Sequence, residues 1–167
     1  MQQNKQYIKD GQVVDDPWAI VLSTGHPETV SVPTSHALLP IVVWQAQPAL
    51  QKISTIGVWL DNSVNLDELA PSIVQLPVIA IEFPVFVDGR GFSLARLLRE
   101  RYQYPGELRA IGHVIRDQLC YLKRCGFNAF SFAQGINLAE AITSLNDFTE
   151  SYQTSVDQPD PLFRRRA

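Results

Sequence analysis

Between Glu82 and Tyr102 the sequence EFPVFVDGRGFSLARLLRERY sets an apolar run, an arginine between two glycines and a helix start in succession, and four of the chain's ten arginines fall inside it. Asp88, Gly89, Arg90, Gly91 and Ser93 carry the clearest chemistry. Glycines on both sides of one residue allow positive φ values and close approach of the backbone to a ligand. Ser93 reads as the N-cap of the following helix, whose free N–H groups and dipole favour an anion. Arg90 adds a planar, permanently charged fork suited to carboxylate, phosphate or sulfur oxyanions. The same residues also fit a tight turn in which Arg90 pairs with Asp88 and holds the loop shut. The glycine spacing matches neither nucleotide-binding motif, so both readings stand at this point.

Other charged residues need separate readings. Arg116 follows a later strand run at the kind of position where parallel α/β sheets meet their ligands, and it joins the candidate anion-binding set. Arg109 lies within a strand pattern, between apolar residues. If buried it needs a carboxylate partner, and Asp117 and Glu82 are the candidates for that structural ion pair. Arg96 and Arg99 share one face of an amphipathic helix, with Leu94, Leu97 and Leu98 on the other. Their side reads as solvated or paired with Glu100. His113 is placed where an acid or base could act, yet no serine or cysteine nucleophile has an evident partner. Cys120 and Cys125, five apart on an expected helix, point in nearly opposite directions and suit neither a disulfide nor a metal. His26, His36 and His113 lack ligand spacing. No metal site and no cofactor is predicted.

These residues hang on an alternating frame. YIKDGQVVDD, with Asp10-Gly11 at its centre, predicts a hairpin. WAIVLS predicts a strand, and a polar, proline-marked loop follows. Ser35 to Lys52 reads as a helix, kinked or broken at Pro48. Strands are then predicted near 56–60, 78–83, 108–113 and 129–132, with helices near 65–75, 93–103, 115–125 and 138–153. Four strand–helix alternations indicate a mainly parallel α/β sheet with flanking helices. The strand runs are apolar throughout, as when both faces are covered. Whether the sheet stays open or curls into a partial (half) β/α barrel is left undecided. The expected organisation is one α/β domain over 1–157, in which 1–35 are peripheral strands and loop and 54–157 the βα core. An extended tail over 158–167 follows. Pro159 and Pro161 keep that tail out of helix, and Phe163 with Arg164, Arg165 and Arg166 makes it a candidate partner-docking peptide.

Composition narrows the function classes. With 46% hydrophobic and 19% charged residues the chain is an ordinary globular protein. No run reaches the roughly 20 apolar residues of a membrane span. MQQNKQYIKDGQ lacks a signal peptide's apolar stretch, so the cytoplasm is the expected compartment. A pI near 5.5 argues against nucleic-acid binding. The charge is uneven, however: residues 1–87 hold three lysines against eight acids, whereas 88–125 hold eight Lys and Arg against four acids. A local positive patch on an acidic chain suits a small anion or an acidic partner.

FVDGRGFSLARLLRERYQYPGELRAIGHVIRDQLCYLKRCGFNAF, together with SLNDFTESYQ and PLFRRR, resembles the bacterial family catalogued as domain of unknown function 934. Members are described as oxidoreductases of sulfite reduction because their genes neighbour that of the haemoprotein sulfite reductase. The resemblance supplies no catalytic residues, and it places an aspartate where this chain has His113. Two cysteines cannot hold an iron–sulfur centre, which needs four such ligands. The resemblance therefore implies an accessory protein of assimilatory sulfite reduction, binding the reductase or its electron donor. The alternative is a small enzyme or sensor that binds sulfite, sulfate or a phosphate ester at Asp88 to Ser93.

Overall fold

In the computed structural model, which describes residues 5–22 and 26–165, the strands are β1 (Gln6–Lys9), β2 (Gln12–Asp15), β3 (Ala19–Ile20), β4 (Ala37–Pro40), β5 (Ile56–Leu60), β6 (Val78–Phe83), β7 (Glu107–Gly112) and β8 (Ala129–Phe130). They form one sheet in the order β2-β1-β8-β7-β6-β5-β4-β3. From β3 to β8 all pairings are parallel. β1 and β2 form the expected hairpin, antiparallel at one edge. Its turn places Asp10 and Gly11 at φ 49° and 74°, the left-handed values for which Asp-Gly is selected.

The sheet cannot be flat. Its two edge strands, β2 and β3, are separated by only Asp16, Pro17 and Trp18. Four residue steps span at most about 14 Å, whereas seven strand spacings laid flat would part the edges by about 34 Å. The sheet therefore curls until its edges approach, forming a partial barrel. Neighbouring parallel strands in chain order, joined by right-handed crossovers, put the helices on one face. α2 (Leu66–Ile73), α3 (Arg90–Glu100) and α4 (Leu119–Arg124) accordingly pack Ile73, Leu98 and Leu122 against Ile79, Ile81 and Phe83 of β6. The other face lines the interior. There Leu38, Val78, Ala80 and Ile111 form a smaller cluster with Trp18, Ile20 and Trp59.

The interior also holds a buried ion network at the amino ends of the strands. Arg109 is fully buried, with its Nη1 3.0 and 2.9 Å from the two oxygens of Asp16. Its Nε donates to Glu107 at 2.8 Å, and its guanidinium lies 3.9 Å from the centre of the Tyr7 ring. Lys9 reaches the other oxygen of Glu107 at 2.8 Å. Arg109 is thus the ion-paired strand arginine that its apolar setting demands, but its partners are not the expected ones. Glu82 lies further along the same face, since Ala80 is opposite Arg109 and Glu82 opposite Ile111. Asp117 is exposed in the 3-10 turn Arg116–Gln118.

Several boundaries differ from expectation. Ser35 to Lys52 is not one helix: β4 occupies Ala37–Pro40, α1 only Ile41–Ala46, and Pro48–Lys52 is a 3-10 turn. Leu38 and Leu39 are both fully buried but on opposite faces, as a two-residue period dictates. The last long helix is also absent, with α5 (Leu138–Ala141) passing into a 3-10 turn at Ile142–Asn146. Thr143 bonds back to the Glu140 carbonyl, and Asn146 and Asp147 favour local turns over helix. The tail is not wholly extended, because α6 (Leu162–Arg165) starts directly after Pro161; proline is well tolerated at a helix start. No helix among the described residues is long and apolar enough to cross a membrane.

Two outcomes follow from the interior network. Asp16→Ala leaves a buried guanidinium half paired and should cost about 3–5 kcal/mol, visible in urea unfolding; an unchanged midpoint would show that the pair does not stabilise the fold. Burial, opposed by Arg109, pushes the Tyr7 hydroxyl from 10.0 up to about 12. A raised pKa means the folded state holds the proton longer. The stability this confers is intact below pH 10 and disappears as pH climbs toward 12. Phenolate absorbance should therefore show Tyr7 ionising together with unfolding, toward the upper end of this pH range.

Candidate functional site

The loop from Asp88 to Ser93 is built differently from an anion cradle. α3 begins at Arg90, so Ser93 sits a turn inside the helix and is exposed rather than capping it. Gly89 is the N-cap residue, at φ −87°, and needs no positive φ. Gly91 is required for packing: a Cβ there would lie 2.8 Å from the Phe83 ring. Arg90 donates through Nε and Nη2 to the two oxygens of Asp88, at 3.0 and 2.7 Å. The Asp88 carboxylate also accepts the Arg90 backbone N–H at 3.2 Å. These hydrogen bonds hold the Asp88 carboxyl well below the usual carboxylate range. Arg116 is engaged elsewhere, donating to Ser144 at 2.7 Å and pairing with Glu140 at 3.1 Å. The two arginines of the candidate anion set thus each have a different carboxylate.

The other basic residues are distributed in the same way. Arg96 pairs with Glu100 at 2.9 Å, as its spacing suggests. Arg101 pairs with Asp67 at 2.9 Å. Arg99, expected to be solvated, is a clamp instead. It donates to the carbonyls of Gly126, Tyr104 and Gly106 and to Asn128, tying α3 to the loops before β7 and β8. In the tail, Arg165 pairs with Glu150 at 3.0 Å and donates to the Ser151 carbonyl at 2.7 Å. Arg164 stacks near the Phe163 ring, Phe163 itself is exposed, and Arg166 lies outside the described residues. Cys120 and Cys125 are free and buried, and burial pushes the Cys125 thiol up, away from the reactive thiolate. Among the described residues no three of His, Cys, Asp and Glu converge as metal ligands.

A second site lies at the carboxyl ends of the parallel strands. There a cavity of about 260 Å³ opens between the ends of β3 and β6–β8, lined by Ile20, Leu22, Glu82, Ile111, Ser131 and Phe132 among others. Gly112 stands at φ +88° where β7 leaves the sheet, and a Cβ there would meet the Phe83 carbonyl at 2.5 Å. Only glycine lets the chain turn away here, which brings the His113 N–H to that carbonyl at 2.7 Å. Glu82 is half-buried and has no hydrogen bond or ion pair among the described residues. The Ser131 hydroxyl is buried and also has no hydrogen-bond partner among the described residues. Around this mouth the strand-end loops expose apolar side chains: Leu22 after β3, Val85, Phe86 and Val87 after β6, Ile115 after β7 and Ile136 after β8. Val87 is 85% exposed.

Sequence reasoning placed ligands at the strand ends and chose the Asp88 to Ser93 loop and Arg116 there; it did not single out Ser131 or read Glu82 as a ligand group. Glu82 was legible as the lone charge closing the apolar run VIAIEF. Ser131 and the exposed run Val85-Phe86-Val87 carried no local signal.

A family model described as "Bacterial protein of unknown function (DUF934)" matches residues 57–163. No curated protein and no solved structure gives a match.

Arg90 and Gly91 of the opening loop should separate on mutation. Arg90→Ala removes the solvent-exposed partner of Asp88 and should leave the melting temperature nearly unchanged. Gly91→Ala crowds the Phe83 ring and should cost about 1–3 kcal/mol. Thermal melting of both variants, with and without sulfate, checks this; a sulfate-dependent rise lost in Arg90→Ala would restore the anion reading.

Proposed function

The chain belongs to the bacterial DUF934 family, and from that premise we propose that it is an accessory protein of assimilatory sulfite reduction that docks the sulfite reductase or its electron donor. The pathway comes from the resemblance of the sequence; the docking comes from the surface. One observation carries it: the strand-end loops present Leu22, Val85, Phe86, Val87, Ile115 and Ile136 to solvent at one end of the sheet. Single exposed apolar residues are ordinary on any surface, but a concentration of them on one functional end marks a contact site. Val85, Phe86 and Val87 follow Pro84 directly, so a proline precedes the apolar run. An aromatic such as Phe86 is the usual anchor of a protein interface. The oxyanion reading receives less support, since Arg90 already has both oxygens of Asp88.

Capture from a native lysate, with the bound reductase or donor identified, tests the proposal. The wild-type chain should retain one of them. Phe86→Ser combined with Val87→Asp should abolish retention while leaving the melting temperature unchanged, because both residues are solvent-exposed. Failure of the wild type to retain either protein, or equal retention by the variant, refutes it.

A further inference from the structure

The cavity inside the apolar rim has a chemistry of its own, independent of any protein docked above it. Glu82 and Ile111 are register partners on β6 and β7. Ser131 stands next in the same row, because its N–H continues the ladder to the Ala110 carbonyl at 2.9 Å. Glu82, Ile111 and Ser131 therefore lie side by side on the interior face, the outer two about 10 Å apart between Cα atoms. Both polar side chains are without partners among the described residues, and Ser131 is only 5% exposed. A buried hydroxyl and a half-buried carboxylate left unsatisfied each carry a desolvation cost that a ligand can remove.

The sign of that ligand follows from a charge count on the interior face. Arg109 and Lys9 are matched by Asp16 and Glu107. Glu82 remains as an uncompensated negative charge. The walls beside it, Ile20, Ile111 and Phe132, are apolar. We infer that this cavity binds a small organic monocation with N–H donors, of the ammonium or amidinium class, whose head bridges Glu82 and Ser131 and whose apolar body lies on Ile111. At about 260 Å³ the space fits a compact molecule and excludes a nucleotide. A primary ammonium satisfies both groups at once, donating one hydrogen bond to the carboxylate and another to the serine oxygen.

The test is calorimetric titration of the full chain with benzylammonium chloride, using benzoate and tetramethylammonium as comparators. Benzylammonium should bind at millimolar concentration, tetramethylammonium much more weakly for want of N–H donors, and benzoate not at all. Glu82→Gln, nearly isosteric, should weaken benzylammonium by about tenfold or more. Ser131→Ala should weaken it by a smaller factor. If Glu82→Gln fails to fold, Ala133→Leu, which enlarges a residue lining the cavity, should block binding instead. Equal binding of benzoate, affinity unchanged in Glu82→Gln, or no heat with benzylammonium would each overturn the inference. The Phe86 and Val87 substitutions should leave this binding intact, so its failure and that of the docking proposal are separable.

Discussion

A single buried guanidinium holds the curled sheet in shape. Arg109 points from β7 into the interior, where an unpaired charge would be intolerable. It is satisfied by Glu107, two residues away on its own strand, and by Asp16, which sits in the three-residue link between the two sheet edges. Closure of the sheet and neutralisation of Arg109 are therefore the same event. Lysine could not substitute, since one ammonium cannot grip both oxygens of Asp16, bond Glu107 and stack on Tyr7 together.

This arrangement divides the interior along its length. The amino ends of the strands hold the paired charges and Tyr7. Apolar side chains run the length between the two ends, with Val78 opposite Glu107, Ala80 opposite Arg109 and Ile111 beside Glu82. The carboxyl ends hold the uncommitted groups: Glu82, the Ser131 hydroxyl and the apolar rim. A parallel sheet wound in this way keeps its stabilising polar contacts at one end and leaves the other free for recognition, the general logic of α/β ligand sites.

Most of the frame was legible in the sequence because it depends on local periodicity. β5, β6, β7 and the hairpin fall where their apolar runs and Asp-Gly turn indicate. β4 was missed because Ala37, Leu38, Leu39, Val42 and Val43 satisfy a helical period as well as a strand one, and only the sheet decides between them. The partners of Arg109 were missed for a different reason. Asp16 is 93 residues away in the chain, and no local rule selects one distant carboxylate over another. Glycine was also misleading: the pair around Arg90 suggested backbone freedom, whereas Gly91 is needed for the space its hydrogen leaves beside Phe83.

The closing link imposes an order on synthesis. The hairpin leaves the ribosome before the strands it pairs with, so its contacts wait for β7 and β8. Tyr7 bonds Glu107, the Asp10 N–H bonds the Asn128 carbonyl, and β1 pairs with β8. At bacterial-like elongation rates of about 5–20 residues per second, the hairpin stays undocked for roughly 6–24 seconds. During that interval both eventual edges of the sheet are open. The parallel strands can assemble in sequence behind it, but the barrel interior is closed last, by a segment made well before its partners.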